Sequence, residues 1–238
     1  MDAQLWHSWV ATQSVSEELA NGFIQQFQRR NMDVSTINCE YSMLNVRQID
    51  VNIKGLGNLI VCTRDDGDLQ QQFQTCFLSD REQLGMAFRN WVAENTTFFV
   101  ERVVFGNALI SLIADYFLKQ RSQAIKIIYM PTTHDNHLKK LQVDFSQPDV
   151  EALREGQDGE RVFSELILPY LYDQTGIRAE KLPMAEVRVH HSVLVRSDGV
   201  KILGNDKHAI AGTTAEILAF VNTQCKSAEE SLITTPSE

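Results

Sequence analysis

The residues best equipped for acid–base or anion-binding chemistry gather between Ala185 and Ile210, where Arg188, His190, His191, Arg196, Lys201 and His208 occupy one short stretch. Imidazoles exchange protons near neutral pH, and a guanidinium grips an anion through a fixed fork of donors. The alternating run AEVRVHHSVLV predicts a strand. Its pleat places Val187, Val189, His191, Val193 and Val195 on one face and Arg188, His190, Ser192, Leu194 and Arg196 on the other. His190 and His191 then point to opposite sides, so they cannot share a metal ion without a bulge. The catalytic or anion-binding candidates that remain are His190, Arg188 and Arg196, on a face that otherwise reads as a solvated strand. A two-residue Asp198-Gly199 turn would set Arg196 directly against Lys201 in the returning run VKIL. Like charges so opposed are unfavourable. Either a carboxylate or an anionic ligand lies between them, or the turn is longer by one residue and the register shifts, which needs no ligand.

A second constellation, His134-Asp135-Asn136-His137, offers two imidazoles and a carboxylate; His134, Asp135 and His137 are the metal candidates. They fall in a predicted loop, without the helix that fixes two ligands in zinc hydrolases. Asp65-Asp66-Gly67-Asp68 lacks the spaced oxygen order of a calcium loop. Asp50-Val51-Asn52-Ile53-Lys54 has an amide where a metal-dependent nuclease needs an acid. No Gly-x-Ser-x-Gly elbow is present, and Gly55-Leu56-Gly57 joins two predicted strands rather than opening a helix, so no cofactor is expected.

The elements that must position these groups alternate in type. Ser14 with Glu17 reads as a capping box for a helix carrying Val15, Leu19, Phe23 and Phe27. Residues 40–62 read as a hairpin turning at Gly55–Asn58, and Ser79 with Glu82 opens a second helix bearing Leu84, Phe88 and Val92. The order strand 98–105, apolar helix 108–120, strand AIKIIYMP permits a βαβ crossover over 98–131. Pro148 starts a short helix; a further helix over 158–172 buries Phe163, Leu166, Ile167, Tyr170 and Leu171, with Pro169 kinking or splitting it. A last helix starts at Gly212-Thr213. The expected class is α+β, mixed: one central, mostly antiparallel sheet with helices packed on it, forming a single globular domain over 1–226 and a flexible acidic tail over 227–238.

Composition bounds the function. With 43% apolar residues the chain builds a real core, and it has neither a secretory leader pattern nor a membrane-length apolar run. A net charge of -9 argues against extensive nucleic-acid binding. Four cysteines without ligand or redox spacing read as free thiols in a reducing compartment, taken as the cytoplasm. Trp6 and Trp9, close to the N-terminus, are expected to pack on the body or on another subunit. The favoured expectation is a non-enzymatic cytoplasmic adaptor or assembly subunit acting through protein contacts or self-association. The alternative is a small enzyme acting on an anionic substrate through the His/Arg patch or the loop metal site.

Overall fold

The computed structural model describes residues 5–64, 73–131, 139–155, 161–203 and 207–233. In chain order these form β1 (His7–Ala11), α1 (Glu17–Gln28), β2 (Val34–Tyr41), β3 (Val46–Ile53), β4 (Gly57–Arg64), β5 (Thr75–Ser79), α2 (Glu82–Asn95) and β6 (Val100–Arg102). There follow α3 (Asn107–Gln120), β7 (Ile125–Tyr129), β8 (Leu141–Phe145), α4 (Gln147–Arg154), a π-helical segment (Val162–Ile167) and α5 (Leu168–Thr175). The series ends with β9 (Met184–Val189), β10 (Val193–Arg196), β11 (Gly199–Ile202) and α6 (Lys207–Ile233).

The class is α+β as expected, but the strands make two antiparallel sheets in place of one, ordered β2-β3-β4-β5-β1-β6 and β11-β10-β9-β7-β8. No crossover forms over 98–131, because β6 pairs with β1 in the first sheet whereas β7 pairs with β8 and β9 in the second. A strand–helix–strand order allows a crossover; the choice of pairing partner decides it. The chain divides into two compact units, one of Trp6–Val103 with Asp206–Glu238 and one of Val104–Asn205 with Met1–Leu5.

In the first unit α1 and α2 cover one face of the six-stranded sheet. Ile49, Val51, Ile53, Leu59, Val61, Phe77 and Trp9 point into a core shared with Phe23, Ile24 and Phe27 of α1 and Leu84, Phe88 and Val92 of α2. The rings interlock: Trp9 stacks on Phe77 at 5.3 Å between centroids, and Phe88 stands edge-on to Phe77 and Phe23 at 5.0 and 5.1 Å. Ser16, not Ser14, caps α1 by accepting from the Leu19 N–H, while Ser14 donates to Gln74 Oε1. The β3–β4 hairpin turns where expected, with Gly55 and Gly57 at φ 84° and 131°, a region open to glycine.

The opposite face carries Gln48, Ile60, Cys62, Cys76 and Leu78, and α6 lies against β3, β4 and β5. The helix begins at Lys207, so Gly212 sits inside it rather than at its start. Burial pushes the Cys62 thiol up to about 12 and that of Cys76 well above its ordinary value. Neither is expected to react with iodoacetamide at pH 8 in the native protein, and both should label once it is unfolded. Native labelling followed by mass spectrometry checks this, and rapid modification of either would contradict the packing of α6. Asn222 on α6 ties the helix to the segment before β5: its amide oxygen accepts from the Phe73 N–H at 2.6 Å and its NH2 donates to the Phe73 carbonyl at 2.9 Å. Asn222→Ala leaves both buried backbone groups unpaired and is expected to cost about 2 kcal/mol in urea unfolding.

In the second unit the inner face of the five-stranded sheet presents Ile125, Ile127, Tyr129, Val187, Val189, Val193 and Val195, all buried. Against it lies α3, with Leu109, Ile110, Ile113 and Phe117 inward, and α3 in turn packs on the π-helical segment. Pro148 stands in the first turn of α4, whose Ser146/Asp149 capping box is complete. Pro169 stands in the first turn of α5, where the π-helical turn hands over to an α-helix, so the expected 158–172 helix is split there.

Candidate functional site

The stretch from Met184 to Ile202 folds as three strands, not two. A turn of His190, His191 and Ser192 joins β9 to β10 and sets Val193 opposite Val189. His191 takes a left-handed backbone at φ 66°, a conformation in which histidine is over-represented among non-glycine residues. His191 therefore leaves the apolar face predicted for it. Both imidazoles are exposed at the turn and meet edge-on, with centroids 3.8 Å apart. The turn is pinned from below by the His190 N–H donating to the Ala124 carbonyl at 2.8 Å and by Ser192 Oγ bonding Gln123 Oε1 at 2.9 Å.

At the other end, Ser197 and Asp198 form the turn into β11. Arg196 faces Gly199 on one side and Glu186 on the other, and Lys201 faces Leu194. The register shifts by the amount that separates Arg196 from Lys201. The Arg196 guanidinium is held by Asp198, Nε to Oδ1 at 3.1 Å, an exposed pair of little energetic weight. Arg188 stands on the same outward face, opposite Leu194 and, on the far side, opposite Lys126 of β7. His208 belongs to α6 in the other unit, where its ring lies 5.7 Å from that of Tyr41. His190 and His191 thus stay together at the turn, and His208 belongs to α6.

The metal candidates His134, Asp135 and His137, and the Asp65–Asp68 loop, lie outside the described residues. Among the described residues, no three His, Cys, Asp or Glu side chains are placed to hold a metal, and no helix is long and apolar enough to cross a membrane. Trp9 is wholly buried, whereas Trp6 is half-buried beside β1.

Two hollows lie elsewhere. One, of about 620 Å³, is lined by Phe27, Leu56, Arg81, Glu82, Leu84 and Ala87 among others. The other, of about 330 Å³, is lined by Ser164, Leu168, Pro169, Tyr172, Arg178 and Glu180. Arg188, His190 and Arg196 line neither. Beside the second hollow helical spacing missed exposed apolar residues: Tyr172 and Ile177 are each over 40% exposed, with the Arg178 guanidinium 5.8 Å from the Tyr172 ring centre, and Tyr170, 40% exposed, has its ring 6.0 Å from that of Phe145. Helical periodicity places Tyr170 inside. The π-helical turn advances the following residues by an extra position, which carries Tyr170 off the buried stripe.

The inner kinetochore subunit IML3 of Saccharomyces cerevisiae (strain ATCC 204508 / S288c) is 22% identical to this chain over 99 residues, a stretch that covers 41% of this chain and 40% of that relative. The cytoplasmic location expected from the thiols is overturned by this relative, whose name places it at the inner kinetochore, a nuclear, chromosomal structure. Nucleus and cytoplasm are both reducing, so free thiols do not tell them apart. The IML3 family model matches residues 16–211, which takes in most of both units. On that match, the chain belongs to the IML3 family.

Proposed function

We propose that the chain is a non-enzymatic subunit of an inner-kinetochore assembly, working through contacts with other proteins. The family match over residues 16–211 carries this reading, and the name of the yeast relative supports it. The surface agrees: Tyr172 and Ile177 stand exposed beside Arg178, and tyrosine and arginine are the residue types that anchor protein interfaces. Trp6, half-buried, is a further contact residue on this reading. The enzymatic alternative has Arg188 or Arg196 holding an anion beside His190, and of these Arg196 is engaged by Asp198; its loop-metal version falls on residues outside those described.

Affinity purification of the tagged chain from its native cells tests the proposal. Inner-kinetochore subunits are expected to co-purify at stoichiometric levels, and a chain recovered with none of them would overturn it. Trp6→Ala and Tyr172→Ala are expected to weaken that recovery while shifting the stability of the isolated chain by no more than about 1 kcal/mol, as for surface positions.

A further inference from the structure

We infer that the outward face of the five-stranded sheet is a docking surface for an acidic peptide segment of a protein partner, held by a row of Lys201, Arg188 and Lys126. The inference goes beyond the subunit reading and does not depend on it, since it is a property of the isolated chain.

Register builds the row. Lys201 of β11 lies opposite Leu194 of β10, Leu194 opposite Arg188 of β9, Arg188 opposite Lys126 of β7, and Lys126 opposite Asp144 of β8. Directly opposed residues share a face, and the inner face at these strands is the valine and isoleucine core, so all five point outward. Arg188 and Lys126 are immediate cross-strand neighbours, an arrangement that destabilises a sheet. Among the described residues none of the three cations is seen in an ion pair, although Asp144 stands opposite Lys126. Asp144, at the end of the row, accepts instead from Gln142 Nε2 at 2.6 Å. A chain of net charge -9 therefore keeps three cations in line at a cost to its own sheet. That cost is offset when an anion sits between them.

The shape of the field favours a short acidic peptide over nucleic acid. The row is fenced by Asp144 at one end and by Glu186 and Asp198 in the neighbouring positions, carboxylates that would repel a long polyphosphate. Strands stand ~4.8 Å apart, so the three cations span about 14 Å, while alternate carboxylates of an extended peptide repeat every ~6.8 Å, within reach of Lys and Arg side chains. Leu194, between Lys201 and Arg188, and Ile128, beside Lys126, supply half-buried apolar contact for the residues between the acids.

The test uses the purified full chain and a labelled, alternating Glu-Gly peptide, with fluorescence anisotropy as the readout and a DNA duplex of matched length as the second probe. The Arg188→Gln/Lys126→Gln double variant is expected to bind the peptide at least ~10-fold more weakly, the worth of a lost charged contact. Arg29→Gln/Arg30→Gln, which removes exposed cations of the other unit, is expected to bind as the unaltered chain does. Lys126→Glu is expected to abolish binding yet leave Tm within about 2 °C of the unaltered chain's, because it gains an opposite charge in Arg188 and loses one in Asp144. That combination is one a folding defect cannot produce. Equal peptide binding by the double variant, no binding by the unaltered chain, or tighter binding of the duplex with loss in the same double variant would each overturn the inference.

Discussion

Trp9→Ala is expected to destabilise the isolated chain by about 3–5 kcal/mol, the cost of removing a large aromatic from a closed core. The side chain has no exposed surface, stacks on Phe77, and presses its ring against the backbone of Gly85 in α2. Its indole N–H has no hydrogen-bond partner among the described groups, so the ring's volume carries its contribution. Gly85 is the complementary half of the contact: a Cβ there would stand 2.2 Å from Cη2 and 2.3 Å from Cζ3 of Trp9. Gly85→Ala alone should therefore cost about 1–3 kcal/mol through overpacking, against the usual gain in helix propensity. In the Trp9→Ala background the new methyl enters the space the ring vacated, so the double variant should be more stable than the two single losses predict. Urea unfolding of the four proteins measures the coupling. Strict additivity, or an unchanged stability for Trp9→Ala, would contradict the packing and return Trp9 to the surface.

Asp115→Ala is expected to cost about 3 kcal/mol, because one carboxylate serves three donors at the start of the π-helical segment. Its oxygens accept from the Phe163 N–H at 2.6 Å, the Ser164 N–H at 3.2 Å and the Ser164 hydroxyl at 2.5 Å. A π-helical turn leaves its first amides without partners just as an α-helix does, and α3 supplies the cap from outside. Asp115→Asn keeps an acceptor oxygen and is expected to cost less. The pH dependence has a definite sign. Burial raises the carboxyl above its ordinary value, outweighing the hydrogen bonds of Ser164 and Phe163 and the charge of Arg161. A group that holds its proton more tightly in the folded state loses stabilisation as pH rises from the unfolded value through the folded one. Wild type should therefore gain stability relative to Asp115→Asn as pH falls through the carboxylate range, in urea titrations at neutral and acid pH. A gap that moves the other way would mean the hydrogen bonds outweigh burial.

Local pattern carried the element types of this chain well. Phe23, Phe27, Phe88 and Val92 sit on the buried helix faces that 3.6-residue spacing assigned, and the β3–β4 hairpin turns at the glycines. What local pattern missed is non-local. Alternation ran straight through the His190–Ser192 turn because a loop of odd length preserves the parity of the flanking valines, so Val187, Val189, Val193 and Val195 look like one strand when they are two. The crossover over 98–131 failed for the same reason, since β6 and β7 each found partners distant in sequence. Within the His/Arg patch, the sequence showed Arg188 and the need to part Arg196 from Lys201, but the expected turn is one residue longer, whereas a two-residue Ser197-Asp198 turn does so one position earlier. The sequence could not show Lys126, which meets Arg188 only because β9 pairs with β7. Periodicity likewise lost Tyr170 across the π-helical turn, and it gave no sign of the exposed Tyr172 beside Arg178. Functional surfaces of a protein that works by contact are assembled from such pairings, which is why its family was legible from the whole chain and not from any motif.

The most direct test of the central claim, that this chain is an inner-kinetochore subunit, is the position of the full-length protein, fluorescently tagged, in its native cells alongside a centromere marker. Foci that coincide with the marker through chromosome segregation are the predicted result. A signal spread through the cytoplasm, with no enrichment at centromeres, would contradict it.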